Sequence, residues 1–471
     1  MATRRDQLHS YQFMTQRVIS AFVMRETDPQ QSPLRRGIGA LFGGVMVAVL
    51  VAAGFGIYGL LTKVGADRWR ADGSVVIEKE TGASFVYARG TLYPTLNYAS
   101  ALLAAGRANP PVHRVAANSL SKAPRGTTVG IPGAPDSLPG IKRHVGLPWT
   151  TCAIPSTNAA GQGVSVVAVA VATTPAGGQP LGDGAVLVRD AKLNARYLVW
   201  QGRRHQIRNP EALVPALFGA ANPVPVGTAW LNALPAGADI QPIAVPDRGE
   251  PSSAVNGRRI GDVLSTQTGS GTQFRLVFDD GLAPITALQR DILRAESPAE
   301  AVPMSVAEAN AAPVSRQLPA PAGDGQPPPT TPALAVPGGA DPLCAVTADG
   351  ATPPTVQVGG EVPGLAAAVP TPAVSADGVP LADLVLVPAG RVTTVRVLGS
   401  PNAQAGPYYV ITDVGVKYPV PQASVLPMLG YPPELAVNVP AALVSRLPTG
   451  PTLDPAAALA PAATDGTARG G

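Results

Sequence analysis

The sequence predicts an α+β protein in three parts: a cytoplasmic helical arm, a single transmembrane helix, and an external central β-sheet domain that carries about four small strand-turn-helix repeat modules. Three observations predict this class. The 471-residue chain contains 51 glycines and 52 prolines, which favours many short elements joined by turns. A long segment from Gly37 to Leu61 contains no charged residue. Beyond it, one pattern of strand, glycine turn and leucine-containing helix recurs along the chain.

The uncharged segment predicts a transmembrane helix over residues 37–62, preceded by a cytoplasmic arm over residues 1–36. From Ile38 to Leu61, roughly 24 residues with a rise of about 1.5 Å each give a helix of roughly 36 Å, enough to cross a bilayer core of about 30 Å. The alternatives are a buried core helix and a cleaved signal peptide. Because a long polar arm precedes the segment and the apolar run is longer than that of a signal peptide, the sequence favours an uncleaved anchor.

The arm sets the predicted orientation. It contains six arginines and three acidic residues, whereas the rest of the chain is close to neutral. Since positively charged flanks stay on the cytoplasmic side, we predict a cytoplasmic N-terminus and roughly 410 external residues. The net charge of +4 therefore reflects mostly the arm and does not predict a nucleic-acid-binding surface.

Residues 8–23 of the arm have the periodicity of a short amphipathic helix. Such a helix either lies on the bilayer surface or docks onto a cytoplasmic partner. For docking, the sequence selects basic and apolar side chains of the arm: Arg4, Arg5, Leu8, Tyr11, Phe13, Arg17, Val18 and Phe22. In the membrane segment, Gly39 and Gly43 are four residues apart, and this spacing of small residues predicts close packing against another helix.

The external part contains three clear copies of the repeat and a weaker one. Each clear copy has a Tyr-Pro or His-Gln pair shortly after its turn glycine and closes on Pro-x-Gly. The interval between the turn glycine and the closing glycine is nearly constant, at 36 positions for Gly90 to Gly126, 35 for Gly202 to Gly237 and 35 for Gly415 to Gly450. The weaker copy turns at Gly281 and lacks the Pro-x-Gly close. The predicted modules are residues 73–135, 195–245, 273–318 and 408–454.

Valine-rich runs between the copies predict one central sheet assembled from distant parts of the chain. The runs are residues 163–173, 185–190, 260–267 and 391–399. The predicted parts of the central domain are residues 136–194, 256–272 and 342–407. Two segments are predicted to lack regular structure, a proline-rich loop over residues 319–341 and a disordered tail over residues 455–471.

Cys152 and Cys344 are the only cysteines, and both lie in the external part. An even cysteine count in an oxidising compartment predicts one disulfide, which would close a loop of roughly 190 residues. The alternatives are two free buried thiols or a metal site. The four histidines show no ligand spacing with either cysteine, so we predict no metal.

The sequence contains no recognisable catalytic motif. No Gly-Lys pair occurs anywhere, which argues strongly against a P-loop, and neither HExxH nor GxSxG is present. The glycine-rich string at 268–272 is better explained by a hairpin turn than by a phosphate-binding loop. Asp279 and Asp280 are interpreted as turn residues next to Gly281. The basic cluster at 203–205 is interpreted as a solvated turn or as a contact for an acidic partner or a wall polymer. We predict no enzymatic activity and no cofactor.

The chain resembles a known family. The residues that carry the resemblance are TRRDQLHSYQFMTQRVISA, the following LRR and glycine-rich membrane helix, WRADGSVVIEKETGASFVYARGTLYPTLNYASALL, the DGLAPIT string at 280–286 and the paired cysteines. They are similar to EccB, the B-type conserved component of the mycobacterial type VII (ESX) secretion machinery. The similarity covers essentially the whole chain and is most specific towards the N-terminus.

The resemblance implies a core subunit of an inner-membrane secretion complex, with one membrane helix, a cytoplasmic N-terminus and a large periplasmic domain containing a disulfide and four modules that resemble wall-binding modules. The implied partners are the FtsK/SpoIIIE-type ATPase, the multi-spanning channel subunit, the fifth conserved subunit and the mycosin protease, together with self-association. By position, Arg4 to Phe22 is the docking arm and Cys152 pairs with Cys344. No residue is implied to be catalytic.

The sequence and the resemblance allow functions of three classes. The first is a structural subunit that scaffolds a periplasmic assembly, and the second is an adaptor that binds peptidoglycan through the modules. The third, a nucleotide hydrolase, is disfavoured by the missing P-loop, and no nucleic-acid partner is predicted. A wide polar groove between modules would favour a saccharide ligand, whereas a flat apolar patch would favour a protein partner.

Overall fold

The computed structural model describes residues 3–25, 35–61, 67–319 and 323–462. Parts of the predicted arm, proline-rich loop and tail lie outside these ranges. The internal contacts divide the chain into two compact units, residues 1–69 and residues 70–471, and each is described by itself.

The first unit contains two long helices, α1 (Arg4–Met24) and α2 (Arg35–Leu61). Asp6 fixes the start of α1, because its carboxylate accepts hydrogen bonds from the backbone amide and the hydroxyl of Thr3 at 3.0 and 2.7 Å. Within α2, the 22 residues from Gly37 to Tyr58 have a mean hydropathy of 2.3 and are long and apolar enough to cross a membrane. α2 is therefore the candidate membrane helix that the sequence predicts.

The second unit contains four copies of one module. In each copy, three strands pair antiparallel in sequence order, a helical segment follows, and a fourth strand returns parallel to the first. The spatial strand order is therefore 3-2-1-4, with the first strand inside the sheet, and a second short helix follows the fourth strand. Module 1 consists of β1 (Ser74–Glu78), β2 (Ser84–Ala88), β3 (Thr91–Pro94), α3 (Tyr98–Ala104), β4 (Val112–Val115) and α4 (Ala117–Leu120).

After module 1 the chain enters a central sheet and then forms modules 2 and 3. The central strands are β5 (Trp149–Thr157), β6 (Gly163–Val171) and β7 (Gln179–Pro180). Module 2 consists of β8 (Ala185–Asp190), β9 (Arg196–Trp200), β10 (Arg203–Gln206), α5 (Pro210–Phe218), β11 (Val224–Val226) and α6 (Thr228–Ala233). Module 3 consists of β12 (Val263–Thr268), β13 (Gly271–Phe278), β14 (Gly281–Ile285), α7 (Ala287–Glu296), β15 (Val302–Pro303) and α8 (Val306–Ala311).

The chain then returns to the central sheet and ends with module 4. The returning strands are β16 (Leu343–Thr347), β17 (Thr355–Val358), β18 (Val369–Pro370) and β19 (Leu384–Leu386). Module 4 consists of β20 (Val392–Leu398), β21 (Tyr408–Thr412), β22 (Lys417–Val420), a 3-10 helix (Ala423–Leu429), β23 (Val437–Pro440) and α9 (Ala441–Val444), and α10 (Pro455–Leu459) follows it. The 3-10 helix contains Pro427, which has no amide to donate to an α-helical hydrogen bond.

The central sheet has seven strands in the order β18-β19-β6-β5-β16-β17-β7. These strands come from two segments of chain, residues 149–180 and 343–386, which are separated by modules 2 and 3. The long β5–β6 hairpin forms the middle of the sheet, and β16 pairs with the other edge of β5. The sheet thus joins two distant parts of the sequence, as predicted from the valine-rich run at 163–173.

The other three valine-rich runs were wrongly predicted to join the central sheet. Residues 185–190, 260–267 and 391–399 instead contribute the first strands of modules 2, 3 and 4, namely β8, β12 and β20. The reason is that the first strand of a module lies between two neighbours in its own four-stranded sheet, so its composition is that of an interior strand. These modules therefore begin one strand earlier than the sequence predicts.

Apolar clusters hold the second unit together and define the neighbours of each module. Module 1 packs against module 4, and module 2 packs against module 3. The central sheet packs against both module 2 and module 4. Representative fully buried side chains are Val75, Leu103, Val410 and Leu426 between modules 1 and 4, Leu198, Leu213, Leu288 and Ile292 between modules 2 and 3, and Trp149, Trp230, Val395 and Leu447 around the central sheet.

Both segments that were predicted to lack regular structure contain ordered residues. The proline-rich segment contacts modules 2 and 3. Residues 333–335 pair with Ala185 of module 2, and Pro329 O accepts the backbone amide of Leu288 of module 3 at 3.1 Å. In the predicted tail, α10 packs on α3 through the fully buried Ala458. The described residues of the proline-rich segment contain no helix or strand, so the predicted loop is confirmed, although tertiary contacts order it. The prediction of a disordered tail is wrong for α10, because an alanine-rich segment gains order from tertiary contacts that its composition does not reveal. Residues 320–322 and 463–471 lie outside the described residues.

Candidate functional site

Each module is closed by a tripeptide that follows its second helix. The third strand donates a backbone amide to the carbonyl of the first tripeptide residue, a proline, and the third tripeptide residue donates its amide back to the same strand residue. All eight N···O distances are between 2.8 and 3.1 Å. The four strand residues and their closing tripeptides are Leu92 with 124–126, Arg204 with 235–237, Leu282 with 313–315 and Lys417 with 448–450. The repeated Pro-x-Gly motif is thus the edge closure of a sheet.

In modules 1, 2 and 4, an aromatic ring of the third strand lies directly on the closing glycine. A Cβ atom on any of these glycines would lie closer than 3.0 Å to the ring, a distance that real Cβ atoms essentially never show. The pairs are Tyr93 with Gly126, His205 with Gly237 and Tyr418 with Gly450. This contact requires both the aromatic residue and the glycine, and it explains why the interval between turn and closing glycine is nearly constant.

Module 3 replaces both partners of this contact. Ala283 takes the place of the ring, and Ser315 takes the place of the glycine, with its amide 3.0 Å from Leu282 O. The Ser315 hydroxyl donates to Asp280 at 2.6 Å, and the backbone amide of Arg316 donates to the same carboxylate at 2.9 Å. These two donors lower the pKa of Asp280. Module 3 therefore has the same edge closure as the other modules, with Pro313-Val314-Ser315 in the place of Pro-x-Gly.

Gly281 does not lie in the turn of module 3, so the prediction that this copy turns at Gly281 is wrong. It is the first residue of β14 and pairs with Phe278, so the turn consists of Asp279 and Asp280, as interpreted for these two aspartates. A Cβ on Gly281 would lie closer than 3.0 Å to Pro313 O, so the glycine allows the closing tripeptide to approach the strand. The predicted turn position was wrong by one residue, because the other modules have a glycine where module 3 has Asp280.

The basic cluster at 203–205 is part of strand β10, so the interpretation as a solvated turn is wrong, while the contact for an acidic partner or a wall polymer stays a prediction. Arg204 donates to Asn232 Oδ1 at 2.8 Å, and its guanidinium carbon lies 6.0 Å from the Tyr197 ring centroid. His205 is fully buried, and its Nδ1 lies 2.8 Å from Ala238 O. Burial lowers the pKa of His205, so the ring is neutral at pH 7 and donates from Nδ1.

Lys417 is the counterpart of Arg204 in module 4, and it is buried, whereas Arg204 is half-buried. Its ammonium group donates to Val444 O at 2.9 Å, at the C-terminal end of α9. Arg446 donates to Ala442 O at 3.1 Å and to Pro380 O at 2.7 Å. Burial and the neighbouring Arg446 lower the pKa of Lys417 to about 8. The Lys417 and Arg446 side chains thus donate hydrogen bonds to backbone carbonyl groups of the fold. Their geometry indicates a structural role and no catalytic one.

The predicted disulfide is present. Cys152 on β5 lies directly opposite Cys344 on β16, with a Cα–Cα distance of 4.1 Å and a sequence separation of 192 residues. Both residues are buried, and the bond connects the two segments that build the central sheet. Among the described residues, no three His, Cys, Asp or Glu side chains are placed to bind a metal ion.

The side chains predicted to dock onto a partner are exposed on α1. Leu8, Tyr11, Val18 and Phe22 lie on one face, and Phe22 is 85% exposed. Phe13 lies on the opposite side, where the Arg17 guanidinium carbon is 5.0 Å from its ring centroid. Arg4 and Arg5 are exposed in the first turn. On α2, nothing in the described chain lies within 4 Å of a Cβ placed on Gly39 or Gly43, so this small-residue face is open.

Two depressions in the second unit bear on ligand binding. The first lies between modules 2 and 3, has a volume of about 400 Å³, and is lined mostly by glutamine, proline and aliphatic residues. No aromatic side chain of the described residues lines it. The second lies beside the β5–β6 hairpin, and its lining includes Val164, Val224, Pro225 and Pro337. Next to it, Val336 is 89% exposed, so this region is an apolar surface patch.

Sequence reasoning missed the contact between aromatic ring and closing glycine. The available signal was the pair itself, since Tyr or His follows each turn glycine by three positions in the same copies that end on Pro-x-Gly. Ala283 and Ser315 depart together from that pattern. Such paired departure is what a direct contact produces, because a side chain at the glycine position fits only where the ring is absent.

The chain matches the family described as type VII secretion system ESX-1, transport TM domain B, over residues 1–468. It is 32% identical over 310 residues to the protein named ESX-2 secretion system ATPase EccB2 of Mycobacterium tuberculosis, covering 62% of this chain and 59% of that protein. The chain therefore spans about three fifths of the length of that relative. It is 29% identical over 489 residues to ESX-3 secretion system ATPase EccB3 of the same species, covering 97% and 89%.

Solved structures agree with the sequence comparison. A chain of an intact ESX-5 inner membrane complex superposes with a TM-score of 0.63 at 25% identity, covering 98% of this chain and 96% of that one. The EccB3 dimer from the ESX-3 core complex superposes with a TM-score of 0.62 at 26% identity, covering 82% and 100%. The match over nearly the whole length, the candidate membrane helix and the shared fold lead to one conclusion: this chain belongs to the EccB family of type VII (ESX) secretion proteins.

Proposed function

We propose that this chain is a structural subunit of a type VII (ESX) inner-membrane secretion complex. The observation that carries the proposal is the end-to-end structural similarity to a chain of the intact ESX-5 inner membrane complex. In the proposed arrangement, α2 crosses the inner membrane once, α1 lies in the cytoplasm and the second unit lies in the periplasm. The arginine-rich flank of α2 and the buried disulfide both support this orientation, because the first favours the cytoplasm and the second an oxidising compartment.

The arm α1 is proposed to dock onto the other membrane components. The apolar face of α1 includes Phe22, which is 85% exposed, and a protein partner would remove this apolar surface from water. The proposed cytoplasmic and membrane partners are the FtsK/SpoIIIE-type ATPase, the multi-spanning channel subunit and the fifth conserved subunit. Gly39 and Gly43 are proposed to contact a neighbouring membrane helix, since a face without side chains allows close backbone approach.

The second unit is proposed to assemble in the periplasm with itself and with the mycosin protease. The apolar patch around Val164 and Val336 supports a protein partner. The peptidoglycan-adaptor alternative receives less support, because no aromatic side chain among the described residues lines the groove between modules 2 and 3, and a sugar ring would find no flat surface to stack on.

A non-enzymatic role is part of the proposal, although the relatives are named ATPases. The support comes from the sequence, which has no Gly-Lys pair and therefore no P-loop of the GxxxxGK[ST] form. Purified chain that hydrolyses ATP above the level of a matched blank preparation would contradict this part of the proposal.

The test is assembly of the membrane complex after changes to α1. Deletion of residues 2–25 should leave the chain in the membrane but remove it from the complex that mild detergent extracts, as seen by native gel and partner mass spectrometry. A sharper variant replaces Leu8, Tyr11 and Val18 with serine, and its matched control replaces the exposed polar residues His9 and Gln16, which lie outside that face, with serine. An intact complex in the first variant, or equal loss in both, would overturn the docking role.

A further inference from the structure

Module 2 differs from modules 1 and 4 at the ring that covers the closing glycine. Modules 1 and 4 use Tyr93 and Tyr418, whereas module 2 uses His205. A tyrosine ring keeps its charge state over the whole physiological range, but an imidazole has a pKa of about 6.5 and gains a proton in mild acid. The contact is therefore insensitive to pH in modules 1 and 4, whereas protonation can change it in module 2.

The surroundings of His205 on balance favour the neutral ring, because burial outweighs the hydrogen bond to Ala238. Nδ1 lies 2.8 Å from Ala238 O and donates its proton there, while Nε2 is buried and has no hydrogen-bond partner. Gly237 lies directly against the ring, so the closing tripeptide packs on it. A proton on Nε2 would make it a buried, charged donor without an acceptor, and such a group strongly destabilises a fold.

The charged groups around His205 do not compensate such a proton. Arg203 on the same strand disfavours the imidazolium, and Asp239 on the closing segment favours it. Asp239, however, is already paired with Arg208 at 2.7 Å. The Trp200 ring also lies nearby, with its centroid 6.3 Å from that of His205, and it carries no charge. The net effect of burial and neighbours is a pKa below the ordinary histidine value.

The residues that His205 holds connect module 2 to two other parts of the fold. Ala238 donates its backbone amide to Gly325 O of the proline-rich segment at 2.8 Å. Ile240 donates to Gln206 O at 2.8 Å and packs in the apolar cluster shared by modules 2 and 3. Residues 236–240 therefore join the third strand of module 2 to the proline-rich segment and to the interface with module 3.

We propose that His205 is a pH-sensitive latch: uptake of a proton on Nε2 releases residues 236–240 and loosens the hold on the proline-rich segment and on module 3. No covalent bond changes in this step, and the proton comes from solvent. This inference goes beyond the scaffolding role and does not depend on the secretion partners.

The sign follows from linkage. The unfolded chain binds a proton on this histidine more readily than the folded chain does, because the pKa of His205 is lower in the fold. The contribution of the latch to stability is complete above the ordinary histidine pKa of about 6.5 and is lost as the pH falls below it.

The test is hydrogen exchange of the full-length chain in detergent, measured by mass spectrometry at about pH 7.5 and about pH 5 and corrected for the intrinsic pH dependence of exchange. Residues 236–240 and 325–335 should lose protection at least about fivefold at the lower pH, the smallest factor expected for one buried unsatisfied donor. The internal control is the closing segment 449–453 of module 4, which lies under Tyr418 and should not change.

Two substitutions make the test reciprocal. His205→Tyr installs the residue of modules 1 and 4 and should abolish the acid effect at 236–240. Tyr418→His should confer an acid effect on 449–453. Wild-type protection that does not depend on pH would overturn the latch, as would an equal acid loss in wild type and His205→Tyr. If His205→Tyr does not fold, an NMR titration of wild-type His205 decides the matter, because a pKa at or above the ordinary histidine value contradicts the proposal.

Discussion

The contact between Tyr418 and Gly450 allows a prediction whose magnitude follows from the structure. A Cβ on Gly450 would meet Tyr418 Cδ1 and Cε1 closer than 3.0 Å, so Gly450→Ser forces the ring or the closing tripeptide to move. Overpacking of this kind costs about 1–3 kcal/mol, which corresponds to local opening that is roughly 5- to 150-fold more frequent. The amides of Gly450 and Leu453, which donate to the third strand at 2.9 and 2.8 Å, should therefore exchange faster by that factor.

The same substitution should be nearly harmless once the ring is absent. Tyr418→Ala alone is expected to cost about 3–5 kcal/mol, because it removes a ring that is only 5% exposed. Adding Gly450→Ser to Tyr418→Ala recreates the natural pair of module 3, Ala283 with Ser315, and should cost less than about 0.5 kcal/mol more. The expected coupling between the two positions is thus at least about 0.5–2.5 kcal/mol.

The assay is native-state hydrogen exchange of residues 449–453 in the full-length chain in detergent, for wild type, both single variants and the double variant. Gly399→Ser is the matched control, because a Cβ at Gly399 has nothing within 4 Å, and it should change stability by less than about 0.5 kcal/mol. Equal costs of Gly450→Ser in the presence and absence of the ring would refute the reasoning.

Three further predictions concern the disulfide, a buried lysine and the tail. Replacing Cys152 and Cys344 together with serine should destabilise the central sheet by about 5 kcal/mol, from the chain entropy of a 192-residue loop, and an unchanged denaturation midpoint measured by tryptophan fluorescence would contradict this. Lys417 occupies the position of Leu92 and Leu282, and its pKa of about 8 in the folded chain lies below that in the unfolded chain. Because the unfolded chain therefore binds the proton more tightly, wild-type stability should rise between about pH 8 and about pH 10.5. Lys417→Leu should remove that rise. Stability of the leucine variant that still rises over this range would exclude the assignment. Deleting residues 455–471 removes Ala458 from the cluster shared by modules 1 and 4, so α3 should exchange faster while α5 of module 2 should not. Equal exchange of α3 in both proteins would show that α10 does not stabilise this interface.

Much of the organisation was readable from composition and spacing. The uncharged run from Gly37 to Leu61 predicted the candidate membrane helix, because bilayer thickness alone sets the length of such a segment. The glycine intervals predicted repeated modules, because a fixed contact requires a fixed length of chain. The even cysteine count predicted the disulfide between Cys152 and Cys344.

The assignment of strands to sheets was not readable in this way. The runs at 185–190, 260–267 and 391–399 have the composition of interior strands, and they are interior strands, but of the modules and not of the central sheet. A valine-rich strand buried between two neighbours looks the same whichever sheet contains it, since composition reports burial and not the identity of the neighbour.

The sequence by itself determined the order of the parts, the candidate membrane helix and the number of repeats, because each depends on local length and polarity. Only the tertiary structure decided why Pro-x-Gly ends three modules, why module 3 ends on Pro313-Val314-Ser315, and why the His205 ring must be neutral. These facts depend on atoms brought together from positions more than 30 residues apart, such as His205 and Ala238 with their separation of 33. Contacts over such separations are fixed by the packing of the whole module, which no local pattern specifies.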